Sequence, residues 1–133
     1  MKKATVLFAS GLSLLLTSCA QLNCQPAPKA GQVEHVVLVW LNEPGNAAIK
    51  DKMVAACRTF PREIDGIRSL SIGDALPSDR EVVDDSFDLG IVLRFKDKAA
   101  LDAYEKHPVH VKAVKEVLAP NASKLKVYDV TVR

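Results

Sequence analysis

VEHVVLVWL, Val33–Leu41, reads as a β-strand whose two sides are both apolar. Val33, His35, Val37, Val39 and Leu41 alternate along one side, and Val36, Leu38 and Trp40 along the other. Successive side chains of a strand point to opposite faces, so each set needs its own cover. After this strand, Glu43-Pro44-Gly45-Asn46 is turn chemistry, with Asn46 placed to cap a helix from residue 47 to about residue 60, where Pro61 ends it. Asp65-Gly66 then turns the chain into a short second strand, 67–72. Residues 74–86 are acid-rich, contain Pro77 and lack calcium-loop spacing, so they read as a solvated loop.

Residues 87–95 (FDLGIVLRF) alternate Phe87, Leu89, Ile91, Leu93 and Phe95 on one face and form a third strand. Asp97 caps a helix through Ala99, Leu101 and Tyr104. Pro108 breaks it, and a second helical segment runs to about residue 119 with Val111, Val114, Val117 and Leu118 inward. A final strand, 125–132, runs through Leu125, Val127, Val130 and Val132. The order β-α-β-β-α-β predicts an α+β chain: a four-stranded antiparallel sheet with helices on one face. That packing leaves the second apolar side of Val33–Leu41 bare. A bare apolar sheet face marks an interface, so the expectation is a homodimer in which two sheets pack face to face as a dimeric α/β barrel.

The 133 residues suit one domain, and 48% hydrophobic with 26% charged residues suits a folded one. Without Lys2 and Lys3 the chain carries 16 basic and 16 acidic residues. There is no basic stripe and only 5% aromatic residues, so no nucleic-acid partner is expected.

Lys2 and Lys3 precede an apolar run from Val6 to Leu16, the pattern of a signal peptide over residues 1–18. The run falls short of the roughly 20 apolar residues that span a membrane as a helix. Leu16-Thr17-Ser18-Cys19 resembles a bacterial lipobox, which makes Cys19 the lipidated N-terminus and anchors the chain to a membrane. Ser18-Cys19-Ala20 also satisfies a small-x-small rule for ordinary secretion. Ala20 after the cysteine resembles the sorting pattern for an outer membrane, with the domain facing the periplasm. Residues 19–32 read as a polar, proline-containing tether to a domain at 33–133. With Cys19 acylated, Cys24 and Cys57 remain, to form a disulfide in an oxidising compartment or to stay apart, with Cys57 a small buried residue.

YEKHPVHVKAV, residues 104–114, holds two of the three histidines. Pro108 suits the first position of a helix and pushes His107 towards an extended cap conformation. His107 is then the N-cap, its ring nitrogen accepting from a first-turn amide. His110 sits in that first turn, where the positive helix end disfavours an imidazolium. A neutral His110 is a candidate general base, and Tyr104 a candidate to steady an oxyanion. The same residues equally serve as a helix joint. His35, His107 and His110 have no carboxylate or thiol at ligand spacing, so neither a metal nor any other cofactor is expected. No serine or cysteine sits in a nucleophile elbow.

Several stretches together resemble the stress-responsive α/β-barrel (Dabb) domains. They are His35 opening its strand, Pro61 with Ile64-Asp65-Gly66-Ile67, Ser86-Phe87-Asp88-Leu89-Gly90, Ala103-Tyr104-Glu105-Lys106-His107-Pro108-Val109-His110, and Tyr128-Asp129. The likeness covers about residues 33 to 130, and Tyr-x-x-His-Pro-x-His is its most specific element. It implies a ferredoxin-like subunit and a dimeric barrel, and no single activity. One plant branch of the family cyclises polyketides with a tyrosine and a histidine at the positions of Tyr104 and His110. Two readings follow. One is a structural or small-molecule-binding barrel whose cavity holds a small apolar ligand, with His35, Trp40 and His107 in pocket or structural roles. The other is a cofactor-independent, polyketide-cyclase-like lyase using Tyr104 and His110.

Overall fold

The computed structural model describes residues 27–133. The expected leader, Cys19 and the Cys24 half of the expected disulfide lie outside these residues. Strand β1 is Val33–Leu41, followed by helix α1 at Ala47–Cys57, a short helix α2 at Phe60–Glu63, and strand β2 at Ile67–Gly73. Strand β3 is Leu89–Phe95, and helices α3 (Lys98–Lys106) and α4 (Pro108–Ala113) follow it. A π-helical turn, Val114–Leu118, and one further turn, Ala119–Asn121, lead into strand β4, Ala122–Thr131. The strands form one antiparallel sheet in the order β2-β3-β1-β4, the ferredoxin-like topology. Among the described residues no helix is long and apolar enough to cross a membrane.

Local chemistry explains the element boundaries. Asn46 caps α1 by accepting from the Ile49 amide, and Asp97 caps α3 by accepting from the Ala100 amide at 2.8 Å. Pro61 does not end the first helix. That helix closes at Cys57, and Pro61 sits in the first turn of α2 instead. Proline lacks the amide hydrogen that a first-turn residue leaves unused, so the position is favourable. Asp88, just before β3, accepts from the Leu41 amide at 2.8 Å and the Gly45 amide at 2.6 Å, tying the β1–α1 turn to the sheet.

Both sides of β1 carry apolar residues, and they meet different surroundings. Val33, His35, Val39 and Leu41 are buried with Leu89, Ile91, Leu93 and Phe95 of β3 beneath Met53, Cys57, Phe60, Leu101, Tyr104 and Leu118 of the helical layer. The opposite face, with Val36, Leu38 and Trp40 of β1 beside Val92 of β3 and Tyr128 and Val130 of β4, has no helix over it. Tyr128 is 47% and Val130 53% exposed there.

The pairing fixes which side each residue of β4 takes. Leu125 and Val127 pair with Val39 and Val37 on the helix side, but the residue that continues this side is Asp129, opposite His35. Val130 pairs with Glu34 on the outer face. Leu125 and Val127 therefore face the helices, and Val130 faces the outer side. Phe87 also leaves the alternation of β3: it precedes the strand and folds back over Gly90, on the outer face, against Trp40. A Cβ on Gly90 would lie 3.3 Å from the Phe87 ring, so the bare glycine provides the seat for that ring.

Candidate functional site

His35 comes from the start of β1, Tyr104 from the last turn of α3, and His110 from the first turn of α4. The three line one cavity of about 360 Å³ between the sheet and the helices. Phe60, Leu93, Val114 and Leu118 supply much of its apolar wall, and Leu125 and Val127 of the edge strand form one side. The cavity thus lies within the chain, beneath the helices, and not on the outer sheet face. Val114 and Leu118 bound the π turn, in which the Ala119 amide reaches back to the Val114 carbonyl. Such one-turn widenings recur at functional sites.

The aromatic rings set the geometry. Tyr104 and His110 lie with ring centroids 4.1 Å apart and planes tilted by 35°. Phe60 meets both rings edge-on, at 5.6 Å and 5.9 Å, and His35 meets Tyr104 edge-on at 5.8 Å. These contacts hold each ring by packing, edge-to-face pairs being favourable at such distances.

Hydrogen bonds orient both imidazoles. His35 Nδ1 lies 2.6 Å from Asp129 Oδ1. A carboxylate can only accept, so Nδ1 carries the proton, and a neutral ring then presents the Nε2 lone pair. His110 Nδ1 lies 3.3 Å from the Glu105 carbonyl, which imposes the same tautomer. Among the described residues neither Nε2 atom nor the Tyr104 hydroxyl has a hydrogen-bond partner. Burial holds the His110 pKa below the ordinary histidine value, with His35 and His107 adding to the shift and the Glu105 carbonyl opposing it. The expectation of a neutral His110 thus has burial as its main cause. Burial also drives the Tyr104 pKa upward, so its hydroxyl stays a donor. Cys57 lines the same cavity, 1% exposed, and burial pushes its thiol up to about 12. A protonated thiol is a poor nucleophile.

The arrangement offers one fixed hydroxyl donor and two imidazole acceptors around an apolar space. It can polarise a carbonyl and take a proton from a neighbouring carbon or hydroxyl.

The remaining expected residues stand elsewhere. His107 is the N-cap of α4: its Nδ1 accepts from the Val109 amide at 3.3 Å. Trp40 lies on the outer sheet face, donating to Ser86 Oγ at 3.0 Å, edge-on to Phe87 and beneath the Lys124 ammonium. Among the described residues no group of three His, Cys, Asp or Glu is placed to hold a metal ion. Asp129 is the site residue that the sequence reading passed over as a functional group. Its signal was the one acid of the last strand, two residues beyond Val127 on the same side.

The fold is shared with solved structures. A dimeric ferredoxin-like protein of unknown function from Jannaschia sp. CCS1 is 27% identical, with a TM-score of 0.63 over 77% of this chain and 100% of that chain. Another dimeric protein of unknown function, from Bacteroides fragilis, is 23% identical, with a TM-score of 0.64 over 77% of this chain and 97% of that chain. The hydroxynitrile lyase from Passiflora edulis has a TM-score of 0.69 at 17% identity, over 79% of this chain and 96% of that chain, a likeness of fold alone. No curated protein matches the sequence. Residues 33–132 match the stress responsive A/B barrel domain (Dabb), and the chain belongs to that family.

Proposed function

We propose that this chain is a homodimeric Dabb barrel of the cell envelope that binds a small, largely apolar molecule in the cavity between its sheet and helices. The observation that carries the binding reading is that cavity, about 360 Å³, apolar on most sides and lined by His35, Tyr104 and His110. Ligand sites are commonly of this kind, a mostly apolar hollow with a few placed polar groups. Two features support the homodimer: the uncovered outer face around Val36, Leu38 and Val130, and the dimeric state of the Jannaschia and Bacteroides proteins. The lipobox at Cys19 supports anchoring to an outer membrane on its periplasmic side. The family description supports a role in the stress response.

Native mass spectrometry of the protein tests this directly. The expected spectrum shows a dimer carrying a small-molecule adduct, and Val114→Trp, which fills the cavity wall, keeps the dimer and loses the adduct. A monomer at micromolar concentration, or an adduct that survives Val114→Trp, refutes the reading.

A second reading is a cofactor-independent lyase or cyclase. It is favoured by two imidazoles, each oriented through its Nδ1, and a protonated tyrosine around one space. His110→Gln and Tyr104→Phe would then abolish turnover of a carbonyl substrate while ligand binding persists. Unchanged turnover in both variants excludes chemistry at this site.

A further inference from the structure

Strand β4 is bare on both sides, although the helical layer covers one side of the sheet. Leu125 and Val127, which turn to the helices and form one side of the cavity, are 40% and 49% exposed. Tyr128 and Val130, on the outer face, are about as open. No strand lies beyond β4. A second sheet packed flat on the outer face would cover Tyr128 and Val130 and leave Leu125 and Val127 in water. Whatever covers those two has to come round the edge of the sheet.

The opposite edge carries what fits. The outer residues of β2 are Ser69, Ser71 and Gly73, and those of β4 are Lys124, Lys126, Tyr128 and Val130, so one rim is bare and the other bulky. Gly73 has no reason within its own chain: its φ is not positive, and a Cβ there would meet nothing within 4 Å. A glycine inside a strand weakens it and often marks the close approach of another backbone. A second copy turned about an axis parallel to the strands sets its bulky rim on this bare one, and the two-fold offers its bare rim to β4 in return. An axis across the strands would set β4 on β4 and β2 on β2, bulk on bulk and hollow on hollow.

Rotation about the strand direction keeps the level of each residue along the strands. Gly73 pairs with Gly90, Gly90 with Leu38, and Leu38 with Lys126, so Gly73 and Lys126 share a level. β2 and β4 run in opposite directions, and the chain that leaves the partner's Gly73 therefore passes Leu125 and Lys124. That chain is the acid-rich loop from residue 74. It holds Leu76 and Val82, 83% and 89% exposed, the most exposed large apolar residues among those described. Asp79 and Glu81 of the loop, and Lys124 and Lys126 of β4, form no ion pair among the described residues. Asp84 of the same chain faces both lysines and offsets one of their charges, leaving the other for a partner.

We infer that in the homodimer the partner's Leu76 reaches round the edge of β4 and closes the cavity against Leu125 and Val127, with the acids of its loop beside Lys124 and Lys126. This rests on the homodimer reading, and it places one residue of each copy in the cavity wall of the other. Three residues past the partner's Gly73 give a reach of about 10 Å. Crossing one strand takes about 5 Å.

The test is oxidative cross-linking of the full chain carrying Cys19→Ser and Cys24→Ser, which leaves only the buried Cys57. Leu76→Cys is combined with Leu125→Cys in one variant and with Val127→Cys in another. All three positions are exposed, so the fold tolerates the changes. A bridge forms only where the two Cα atoms come within about 7 Å. At least one pair should give a species of twice the chain mass on a non-reducing gel, lost on reduction, and no single variant should. A bridge within one chain, cross-linking by Leu76→Cys alone, or no cross-link from either pair in a protein that sediments as a dimer overturns the placement of Leu76 while the homodimer stands. Sedimentation as a monomer at micromolar concentration removes both. As a second measurement, N-ethylmaleimide should alkylate Val127→Cys several-fold faster when Leu76→Asp is added, in a chain that still sediments as a dimer. An unchanged rate also overturns the placement.

Discussion

Gly66 joins the turn after α2 to the helix that carries Tyr104, and Gly66→Ala tests that joint. The residue has φ +91°, a conformation that L side chains rarely adopt, and a Cβ there would lie 2.6 Å from the Ala100 Cβ. The backbone conformation alone costs about 1–3 kcal/mol for a non-glycine residue. Overpacking against Ala100 adds about 1–3 kcal/mol, so Gly66→Ala should lower stability by about 2–6 kcal/mol. Ala100 and Tyr104 are four residues apart on one face of α3, so displacement of the first reaches the second. The assay is urea denaturation at one fixed protein concentration, because unfolding of the proposed dimer depends on concentration. Ala100→Gly should cost about 1 kcal/mol by itself, from helix propensity. In the double variant the clash disappears and only the backbone strain remains, so the two changes should be coupled by about 1–3 kcal/mol. A loss below about 1 kcal/mol for Gly66→Ala, or strict additivity in the cycle, refutes the close approach of this turn to α3.

Two more tests address the cavity. Cys57, with its thiol pushed up to about 12 and buried, should resist alkylation in the native protein and react on unfolding; peptide mapping of the Cys57 fragment checks this, and rapid native labelling contradicts it. For His110, whose pKa is depressed by burial, the unfolded state binds more protons below its ordinary value of about 6.5. The associated stability is fully present above that value and declines as pH falls towards the folded one. His110→Gln should therefore flatten the fall in urea midpoint between about pH 7 and pH 5, and a fall as steep as in the unsubstituted protein refutes the assignment.

The sheet was legible because the alternation of Val33–Leu41 and of Leu89 to Phe95 is uninterrupted and each set has a partner. β4 was harder. Its outer face also carries Tyr128 and Val130, so hydrophobicity alone could not say which side faces the helices, and Asp129 was passed over. Register settles this question, and register depends on pairing with a strand about 90 residues earlier in the chain. His107 as a cap followed from proline stereochemistry, which acts between neighbours. The cavity and the seat of Phe87 on Gly90 depend on residues far apart in sequence, and no local pattern announces them.

The π turn at Val114–Leu118 holds one residue more than an α-helical turn would. Successive residues of an α-helix are rotated by about 100°. Removing one residue between Val114 and Leu118 would convert the bond from the Ala119 amide to the Val114 carbonyl into an ordinary i→i+4 bond, narrowing the turn while Leu118 and Ala119 follow it as before. A single inserted codon thus separates a chain with a widened turn at this wall from one with an ordinary turn. Relatives with differently shaped interiors can arise by that step alone, without any change to the sheet.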